Sequence, residues 1–329
     1  MRVLVTGAAG FVGSHLADRL VADGHAVEAL DDLSTGAEGN LAPARERGDV
    51  VLLRGDVRDR GLVAEAVARA DAVFHLAGAV GVARVAADPA GTWSRNVDGT
   101  SSVLSACAAR GTPCLVASTS EVHGTSATGV LAEDDPVTLA PAGRRDVYAV
   151  SKLAGESLAL ALHRSAGLPV VVARLFNVVG PRQSDRYGMV LPRFSRAAVR
   201  GEPLVVHGDG RQTRCFLDVR DAADALVALA AAPAAAGLVV NVGSDEEVAI
   251  GELARRVVAV AGSRSSVVHV PFASVYGDGF VDPPRRRPDL ARLRALTGAR
   301  PRRRLADAVA DAVAHARAAL EPAPAGPGR

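Results

Sequence analysis

Tyr148 and Lys152 stand four residues apart in a segment whose apolar residues recur with helical spacing, so both side chains project from one helix face. A phenol with a pKa of roughly 10 is a poor base at neutral pH, but a nearby ammonium stabilises the phenolate and lowers that pKa. Tyr148 would then exchange a proton with a substrate hydroxyl while a hydride leaves the same carbon. A buried tyrosine beside a surface lysine gives the same pattern, so the pair needs support from the rest of the chain.

A second polar group precedes this helix. The apolar run Cys114–Ala117 predicts a strand, and it is followed by Ser118, Thr119, Ser120 and Glu121. Hydroxyls and a carboxylate at a strand end can hydrogen-bond a substrate hydroxyl and supply a further acid or base. We therefore predict that Thr119, Ser120 and Glu121 act with the Tyr-Lys pair, although a serine-rich turn would also explain them.

The bulk composition describes a globular protein. The chain has 329 residues, 49% of them apolar, and a mean hydropathy of +0.17, but no apolar run reaches the ~20 residues that span a bilayer. The first residues read as a strand and not as a signal peptide, so we expect a cytoplasmic protein without membrane contact. The three cysteines lack metal-ligand spacing, which argues against disulfides and a metal site. A net charge of +2 with 3% aromatic residues gives no reason to expect nucleic acid.

A glycine-rich turn follows the first strand. Gly7 and Gly10 lie between the apolar run 2–6 and a helix predicted over Phe11–Ala22, and Gly13 lies in the first turn of that helix. In such a turn the first glycine allows the tight bend, the second lets the backbone approach a pyrophosphate, and the third lets helix pack on strand. With Phe11 and Val12 at the helix N-terminus, this turn predicts a dinucleotide site.

Further candidate contacts fall at the ends of the next predicted strands. Asp31 and Asp32 end the second strand, where a carboxylate accepts the adenosine ribose hydroxyls and repels a 2′-phosphate. NAD is therefore expected over NADP, although two acids also commonly open a loop. The remaining candidates end the third and fourth strands: Asp56, Val57, Leu76, Ala77 and Gly78. His75 is expected to be a packed core histidine.

Alternation of strands and helices predicts an α/β fold, a doubly wound parallel sheet (Rossmann) with a smaller C-terminal α/β substrate lobe. We expect the NAD-binding part at 1–176, with short additions to its sheet near 214–242, a substrate lobe at 177–320, and a disordered tail at 321–329. The helix Trp93–Arg110 and the helix after Tyr148 offer two long amphipathic faces, which favours a homodimer.

Taken together, these motifs make the chain resemble the extended short-chain dehydrogenase/reductases that modify nucleotide sugars, over almost its full length. The matching pieces are Thr6–Gly13, Asp31-Asp32, Gly55–Val57, His75–Gly78, Asn96–Thr100, Ser118–Gly124, Tyr148–Lys152, Arg174–Asn177, Gly180-Pro181 and Gly210–Phe216. The resemblance implies an enzyme that binds NAD tightly, oxidises C4 of a nucleoside-diphosphate sugar, acts on the ketone and usually returns the hydride.

Roles carry over by motif. The resemblance implies that Thr119 and Tyr148 hold the C4 hydroxyl, with Tyr148 as base, while Lys152 lowers its pKa and binds the nicotinamide ribose. Asn96 is implied as a further cofactor contact. The implied substrate contacts are Asn177, Arg214 and Arg286 for the diphosphate, His207 for the base, and Leu191.

The subfamily depends on Ser120-Glu121, since plain 4-epimerases usually carry small residues there. Thr-Ser-Glu-Val is similar to UDP-glucuronate decarboxylases and to GDP-mannose 4,6-dehydratases, and dTDP-glucose 4,6-dehydratases carry Asp-Glu. We expect UDP-glucuronate decarboxylation to UDP-xylose, with a UDP-sugar 4-epimerase, an NDP-hexose 4,6-dehydratase and a non-catalytic NAD-binding regulator as alternatives. His123, Gly78 and Arg145-Asp146 depart from the family pattern, and His123 is expected to alter packing near the sugar.

Overall fold

The computed structural model describes residues 1–124, 129–139, 146–184, 188–277 and 282–320. The expected disordered tail at 321–329 lies outside these residues, as does Arg145.

The strands and helices alternate through the first half of the chain. The strands are β1 (Arg2–Thr6), β2 (Ala26–Asp31), β3 (Val50–Arg54), β4 (Ala72–His75), β5 (Cys114–Thr119), β6 (Val130–Leu131), β7 (Val170–Leu175), β8 (Val178–Val179), β9 (Leu204–His207), β10 (Thr213–Cys215), β11 (Leu217–Asp218), β12 (Val239–Val242), β13 (Glu247–Ala249), β14 (Val267–Val270) and β15 (Arg285–Pro288). The α-helices are α1 (Phe11–Ala22), α2 (Ala42–Arg45), α3 (Arg60–Arg69), α4 (Val82–Ala87), α5 (Pro89–Arg110), α6 (Asp146–Ala166), α7 (Val190–Arg200), α8 (Val219–Ala230), α9 (Ile250–Ala261), α10 (Phe272–Tyr276), α11 (Ala291–Thr297) and α12 (Leu305–Ala318). Short 3-10 helices cover Glu38–Leu41, Ser120–His123 and Pro233–Ala235.

A parallel sheet forms the centre of the fold. Its strand order is β12-β7-β5-β4-β1-β2-β3, and every neighbouring pair is parallel. The central strands are rich in valine and leucine and buried along almost their whole length, as expected for a sheet covered on both faces. The prediction of a doubly wound parallel sheet is therefore confirmed.

Helices cover both faces of this sheet. On one face α1, α8 and α11 pack over a core that includes Leu16, Leu226 and Val240. On the other face α3, α5 and α6 pack over a core that includes Val67 and Leu104. Because the strands are parallel, their carboxyl ends meet at one edge, and the predicted cofactor residues lie there.

The smaller lobe has its own core. A four-stranded sheet, β13-β10-β15-β6, and the pairs β11-β8 and β14-β9 accompany α7, α9 and α12, which pack around Phe194, Leu253 and Val309. Within the stretch 214–242, where additions to the large sheet were expected, β12 joins that sheet, whereas β10 and β11 belong to these separate sheets. Helix α11 begins at Ala291, shortly after Pro288 ends β15.

The two parts interleave along the chain. Strand β6, from the first half, pairs with β15, while α8 and α11 return to the helical layer of the large sheet. The division at 176 and 177 therefore stays a prediction. Among the described residues, no helix is both long and apolar enough to cross a membrane.

Candidate functional site

A single cleft runs along the carboxyl edge of the large sheet and continues between this sheet and the smaller lobe. Its wall contains nearly every residue that the sequence analysis singled out: Gly7, Gly10, Phe11, Val12, Gly13, Asp31, Asp32, Asp56, Val57, Leu76, Ala77, Gly78, Thr119, Ser120, Glu121, Tyr148, Lys152, Asn177, Leu191, His207, Arg214 and Arg286. The structure therefore brings the predicted cofactor, catalytic and substrate residues into one continuous space.

The glycine-rich turn is built for backbone contact with an anion. Gly7 has φ +69°, and a Cβ there would lie 2.7 Å from the backbone nitrogen of Ala77, so both geometry and space require glycine. A Cβ on Gly13 would lie 2.1 Å from the carbonyl oxygen of Gly7. Gly10 is the N-cap residue of α1 and supplies no side-chain cap. Phe11 and Val12 line the cleft, so the first N–H groups of α1 would stabilise a pyrophosphate there.

Asp31 and Asp32 differ sharply in their surroundings. Asp31 is buried, and its two carboxylate oxygens accept hydrogen bonds from the backbone N–H of Ala9 at 2.9 Å and of Leu33 at 2.8 Å. Burial raises the pKa of Asp31, and the backbone hydrogen bonds oppose that rise. Asp32 is exposed and accepts from the Ser34 N–H at 2.9 Å. Asp31 therefore holds the glycine turn against β2 and keeps lone pairs toward the cleft.

Asp56 is already engaged by a neighbouring side chain. The guanidinium of Arg58 donates to both carboxylate oxygens, at 2.5 to 3.0 Å, and these bonds lower the pKa of Asp56. Val57 is buried, and a Cβ on Gly99 would lie 2.7 Å from its side chain. An adenine amino group would share Asp56 with Arg58.

Asn96 lies behind the cleft wall formed by the described residues, and its contact with the cofactor stays a prediction. It is fully buried, and its side chain accepts from the Ala79 N–H at 2.8 Å and donates to the hydroxyl of Ser151 at 2.9 Å. A Cβ on Gly78 would lie 2.9 Å from the Asn96 oxygen and 3.1 Å from the Lys152 nitrogen. Asn96 thus supports the Gly78 backbone that lines the site.

Tyr148 and Lys152 face the cleft from α6, as predicted, but the electrostatics differ from the prediction. Burial raises the pKa of Tyr148, the charge of Glu121 raises it further, and a hydrogen bond with Thr119 lowers it. Lys152 donates to the carbonyl oxygen of Ala117 at 3.0 Å, and burial lowers its own pKa to about 8. In the protein alone, the phenol is therefore held neutral, and the ammonium anchors the end of β5.

The carboxylate of Glu121 is the main anionic group near the phenol. Thr119 ends β5, and its hydroxyl accepts from the Glu121 N–H at 3.2 Å, which begins the 3-10 helix Ser120–His123. This turn presents Ser120 and Glu121 to the same cleft as Tyr148. A phenol, two hydroxyls and a carboxylate can move protons on and off neighbouring atoms of one substrate.

His75 and His123 lie outside the cleft wall formed by the described residues. His75 is fully buried between the hydroxyls of Thr6 at 2.8 Å and Thr100 at 3.0 Å, which confirms it as a core residue. His123 packs on the ring of Phe176 at 5.9 Å between centroids, and its Nε2 lies 3.3 Å from Asn241 Oδ1. His123 therefore belongs to the buried layer behind the cleft wall, and its effect on packing near the sugar stays a prediction.

Two arginines occupy adjacent strands of the smaller lobe. Arg214 on β10 pairs in register with Arg286 on β15, and both line the cleft. Arg214 also forms an ion pair with Asp282 at 2.7 Å. Asn177, with φ +35°, donates to the carbonyl oxygen of Cys215 at 2.9 Å. The arginines give this end of the cleft the fixed cations that a diphosphate requires.

His207 sits in a small polar cluster at the far end of the cleft. Arg193 donates to His207 Nε2 at 3.0 Å, and the Tyr276 oxygen lies 3.0 Å from Nδ1. Because a guanidinium only donates, Nε2 must be the accepting nitrogen of a neutral ring. Burial lowers the pKa of His207 to about 4, and the charge of Arg193 contributes.

Sequence reasoning missed several side chains of the wall. Among them are Arg84, Arg95, Gln183, Arg193, Gln212, Phe272, Tyr276 and Asp282. Gln212 belongs to the Gly210–Phe216 motif, so its neighbours gave a signal. Tyr276 and Asp282 come from segments without such a motif, and only the folded lobe brings them to the cleft.

The residues present fit NAD. The uncapped N-terminus of α1, the close approach of the Gly7 backbone to Ala77, and the carboxylate of Asp31 would supply a pyrophosphate cradle and a ribose acceptor.

Comparisons with known proteins agree with this geometry. Residues 3–243 match the model of the NAD dependent epimerase/dehydratase family. The chain is 38% identical over 296 residues to a UDP-N-acetyl-alpha-D-glucosaminuronate decarboxylase of Bacillus cytotoxicus, covering 90% of this chain and 91% of that protein. It is 35% identical to UDP-glucuronic acid decarboxylase 1 of Danio rerio, covering 91% of this chain and 69% of that one.

A solved structure shows the same fold. UDP-glucuronic acid 4-epimerase from Bacillus cereus, in complex with UDP-glucuronic acid and NAD, superimposes with a TM-score of 0.86 at 28% identity, covering 97% of this chain and 100% of that one. The family match spans the glycine turn, the Tyr-Lys pair and the end of the large sheet. The chain belongs to the NAD-dependent epimerase/dehydratase family.

Proposed function

We propose that the protein decarboxylates a UDP-linked hexuronate, with UDP-glucuronate, which would give UDP-xylose, as the first candidate. The observation that carries this proposal is the position of Glu121, whose charge acts on the Tyr148 phenol inside the cofactor cleft. A carboxylate there is superfluous for a simple inversion at C4, but it supplies an acid or base for a second step.

The first step is removal of hydrogen from C4 of the sugar. When bound, NAD supplies the acceptor for the hydride that leaves C4 and later returns it. Tyr148 takes the proton of the C4 hydroxyl, and Thr119, hydrogen-bonded to the phenol, orients that hydroxyl. Lys152 provides a positive charge beside the nicotinamide ribose position and offsets the cost of charging a buried phenol.

The second step uses the ketone at C4. The bond between C5 and its carboxylate breaks, carbon dioxide leaves, and the bonding electrons move into the C4 carbonyl to give an enolate. Protonation at C5 then restores the ketone, and Glu121 and Ser120, which line the cleft, would deliver or relay that proton. Tyr148 finally returns its proton to the C4 oxygen.

The smaller lobe is proposed to bind the nucleotide. Arg214 and Arg286, in register on adjacent strands, would pair with the diphosphate. Asn177 would contact the same group. Leu191 and His207 also line the cleft and would contact the base.

The names of the relatives support this substrate class, because two of them are decarboxylases of UDP-linked uronates. A UDP-sugar 4-epimerase is the second candidate, favoured by the similar Bacillus cereus structure. In that reaction the 4-keto sugar would rotate in the site and accept hydride on its other face, and Glu121 would not be needed.

A screen of nucleotide sugars tests the proposal. NAD-loaded protein is incubated with UDP-glucuronate, UDP-N-acetylglucosaminuronate, UDP-glucose and dTDP-glucose, and the products are analysed by mass spectrometry. Loss of carbon dioxide from a uronate supports the proposal. Unchanged mass with inverted C4 indicates the epimerase, loss of water indicates a dehydratase, and binding without conversion indicates a regulator.

Two variants sharpen the screen. Glu121→Gln should lower decarboxylation by about 10²-fold or more while NAD affinity stays the same. Glu202→Gln is the matched control, because Glu202 is exposed, pairs with Arg200 at 3.7 Å and lies outside the cleft wall formed by the described residues.

We also propose a homodimer and a cytoplasmic location. Helices α5 and α6 pack side by side against the same face of the sheet, which leaves their outer faces for a second copy. The three cysteines are free and buried, as in a reducing compartment. Light scattering at micromolar concentration tests the dimer, and a monomer mass contradicts it.

A further inference from the structure

Helix α6 contacts the end of β5 through Lys152 and through a second residue one turn further along the helix, Glu156. Lys152 donates to the carbonyl oxygen of Ala117 at 3.0 Å, and Glu156, one helical turn later, accepts from the hydroxyl of Ser118 at 2.5 Å. Consecutive strand residues are thus fixed immediately before Thr119, which ends β5. The position of the Thr119 hydroxyl in the cleft depends on these two contacts.

Glu156 is held by a buried ion pair. Arg174 donates to its carboxylate through Nε at 3.1 and 3.2 Å and through Nη2 at 2.8 Å. The Glu156 side chain is 3% exposed and that of Arg174 is 5% exposed, so water solvates neither charge. Arg174 lies on β7 and is the register partner of Ser118 on β5. The ion pair therefore joins the helix and two strands at one level.

Arg174 extends this network toward the smaller lobe. Its Nη1 donates to the carbonyl oxygen of Glu133 at 3.1 Å, and the Glu133 carboxylate accepts from the Asn241 N–H at 2.9 Å. Asn241 also donates to the carbonyl oxygen of Leu131 at 2.9 Å, in the strand that pairs with β15. Strand β6, which pairs with the strand that carries Arg286, is therefore connected to the same ion pair.

We infer that Glu156, held by Arg174, is a positioning residue for the catalytic group: it fixes Ser118 and Thr119 and keeps an anion one helical turn from Lys152. This inference rests on the proposed function only where turnover is the readout. Glu156 itself lies outside the cleft wall formed by the described residues, so it acts through Ser118 and Lys152.

Several charged or titratable groups face Lys152 and Glu156. On α6, Tyr148 lies one turn before Lys152 and Glu156 one turn after it. Arg174 on β7 pairs with Glu156, the charge of Lys152 acts on His75 of β4, and His123 Nε2 lies 3.5 Å from Arg174 Nη1. The pKa of His75 is lowered to about 3 and that of His123 to about 4, mainly by burial, so both rings are neutral at pH 7. The charge of Glu156 opposes the loss of the Lys152 proton that burial promotes.

Glu156→Gln tests the inference, because glutamine keeps the size and the acceptor oxygen but removes the charge. The alkaline limb of the kcat against pH profile should move to lower pH by about one unit, and kcat should fall about tenfold or more. KM and NAD affinity should stay within about twofold. Glu156→Asp keeps the negative charge, so the alkaline limb of its pH profile should lie near the wild-type position even if its kcat is low.

Glu28→Gln is the matched control. Glu28 is also a buried glutamate paired with an arginine, Arg69, but it lies on β2 outside the wall formed by the described residues. A merely structural loss of a buried carboxylate would affect both variants alike. The limb should move in Glu156→Gln alone.

A second readout separates this inference from the proposed reaction. The pH dependence of Lys152 acylation by acetic anhydride, followed by peptide mass spectrometry, reports the Lys152 pKa without any sugar. A lower apparent pKa in folded Glu156→Gln supports the inference even if no nucleotide sugar is converted. A Lys152 pKa in Glu156→Gln equal to that of the wild type overturns the inference. If that variant fails to fold, Glu156→Gln combined with Arg174→Gln removes both charges, and an unchanged Lys152 pKa there overturns it equally.

Discussion

Lys152 Nζ lies 3.0 Å from the carbonyl oxygen of Ala117, and the same ammonium lies next to Gly78 on the neighbouring strand end. The lysine thus joins the catalytic helix to the strand that carries Thr119. Burial and the nearby Glu121 raise the pKa of the Tyr148 phenol. Removing a proton from a substrate hydroxyl therefore demands a positive charge beside the phenol at the moment of transfer.

Tyr148→Phe should abolish most turnover while leaving the cofactor site intact. The variant loses the proton acceptor but keeps the ring that fills the buried position, so kcat should fall by about 10²- to 10⁴-fold. NAD affinity, measured by calorimetry, should stay within a few fold. Turnover close to that of the wild type would contradict the assignment of Tyr148 as the base.

Asp31→Asn and Asp32→Asn should differ in their effect on NAD affinity. Asp31 is buried and accepts from the Ala9 and Leu33 N–H groups, whereas Asp32 is exposed and accepts from one N–H. Replacing Asp31 places an amide group against one of two N–H donors, which lowers the stability of the folded protein by about 1–3 kcal/mol. Because the carboxylate that accepts the ribose hydroxyls is also lost, NAD binding should weaken about tenfold or more. Asp32→Asn should change it about twofold. Equal effects in a NAD titration would contradict the division of roles.

Two glycines of the first turn should respond differently to alanine. A Cβ on Gly13 would lie 2.1 Å from the Gly7 carbonyl oxygen, a backbone atom that cannot move aside, so Gly13→Ala should lower Tm strongly. A Cβ on Gly10 would lie 3.1 Å from the same atom. Gly10→Ala should therefore fold, with a smaller fall in Tm, and lose NAD affinity because the methyl group narrows the approach to the pyrophosphate. Thermal melts with and without NAD measure both effects, and equal melts would contradict this reading.

The stability of the protein should fall on mild acidification. The pKa of His75 is lowered to about 3, and those of His123 and His207 to about 4, from the ordinary 6.5. Below pH 6.5 the unfolded chain binds protons that the folded rings refuse, so stability decreases as pH falls toward 4. Tm should drop between pH 7 and pH 5, and the drop should be smaller in His123→Gln. A constant Tm over that range would contradict the neutral buried state of these rings.

The sequence predicted the part of the site that depends on local order. The glycine turn, Asp31, Thr119, Tyr148 and Lys152 lie at the ends of regular elements, where a parallel sheet gathers them at one edge. Contacts between distant segments were not predictable in this way. The Lys152 bond to Ala117 O and the supporting position of Asn96 depend on how two helices dock on the sheet. The strands of the smaller lobe are short and form three small sheets among the described residues. The residues that surround His207 come from separate segments of this lobe, so the sequence alone did not predict them.

Stopped-flow absorbance of reduced nicotinamide tests the central claim most directly. NAD-loaded protein is mixed with UDP-glucuronate or UDP-N-acetylglucosaminuronate, and the quenched samples are analysed for the nucleotide product. Transient oxidation at C4 predicts that the absorbance rises and then decays as the decarboxylated nucleotide forms, and that Tyr148→Phe shows no rise. Formation of that nucleotide with a flat absorbance trace, or no reaction of either uronate, would contradict the account.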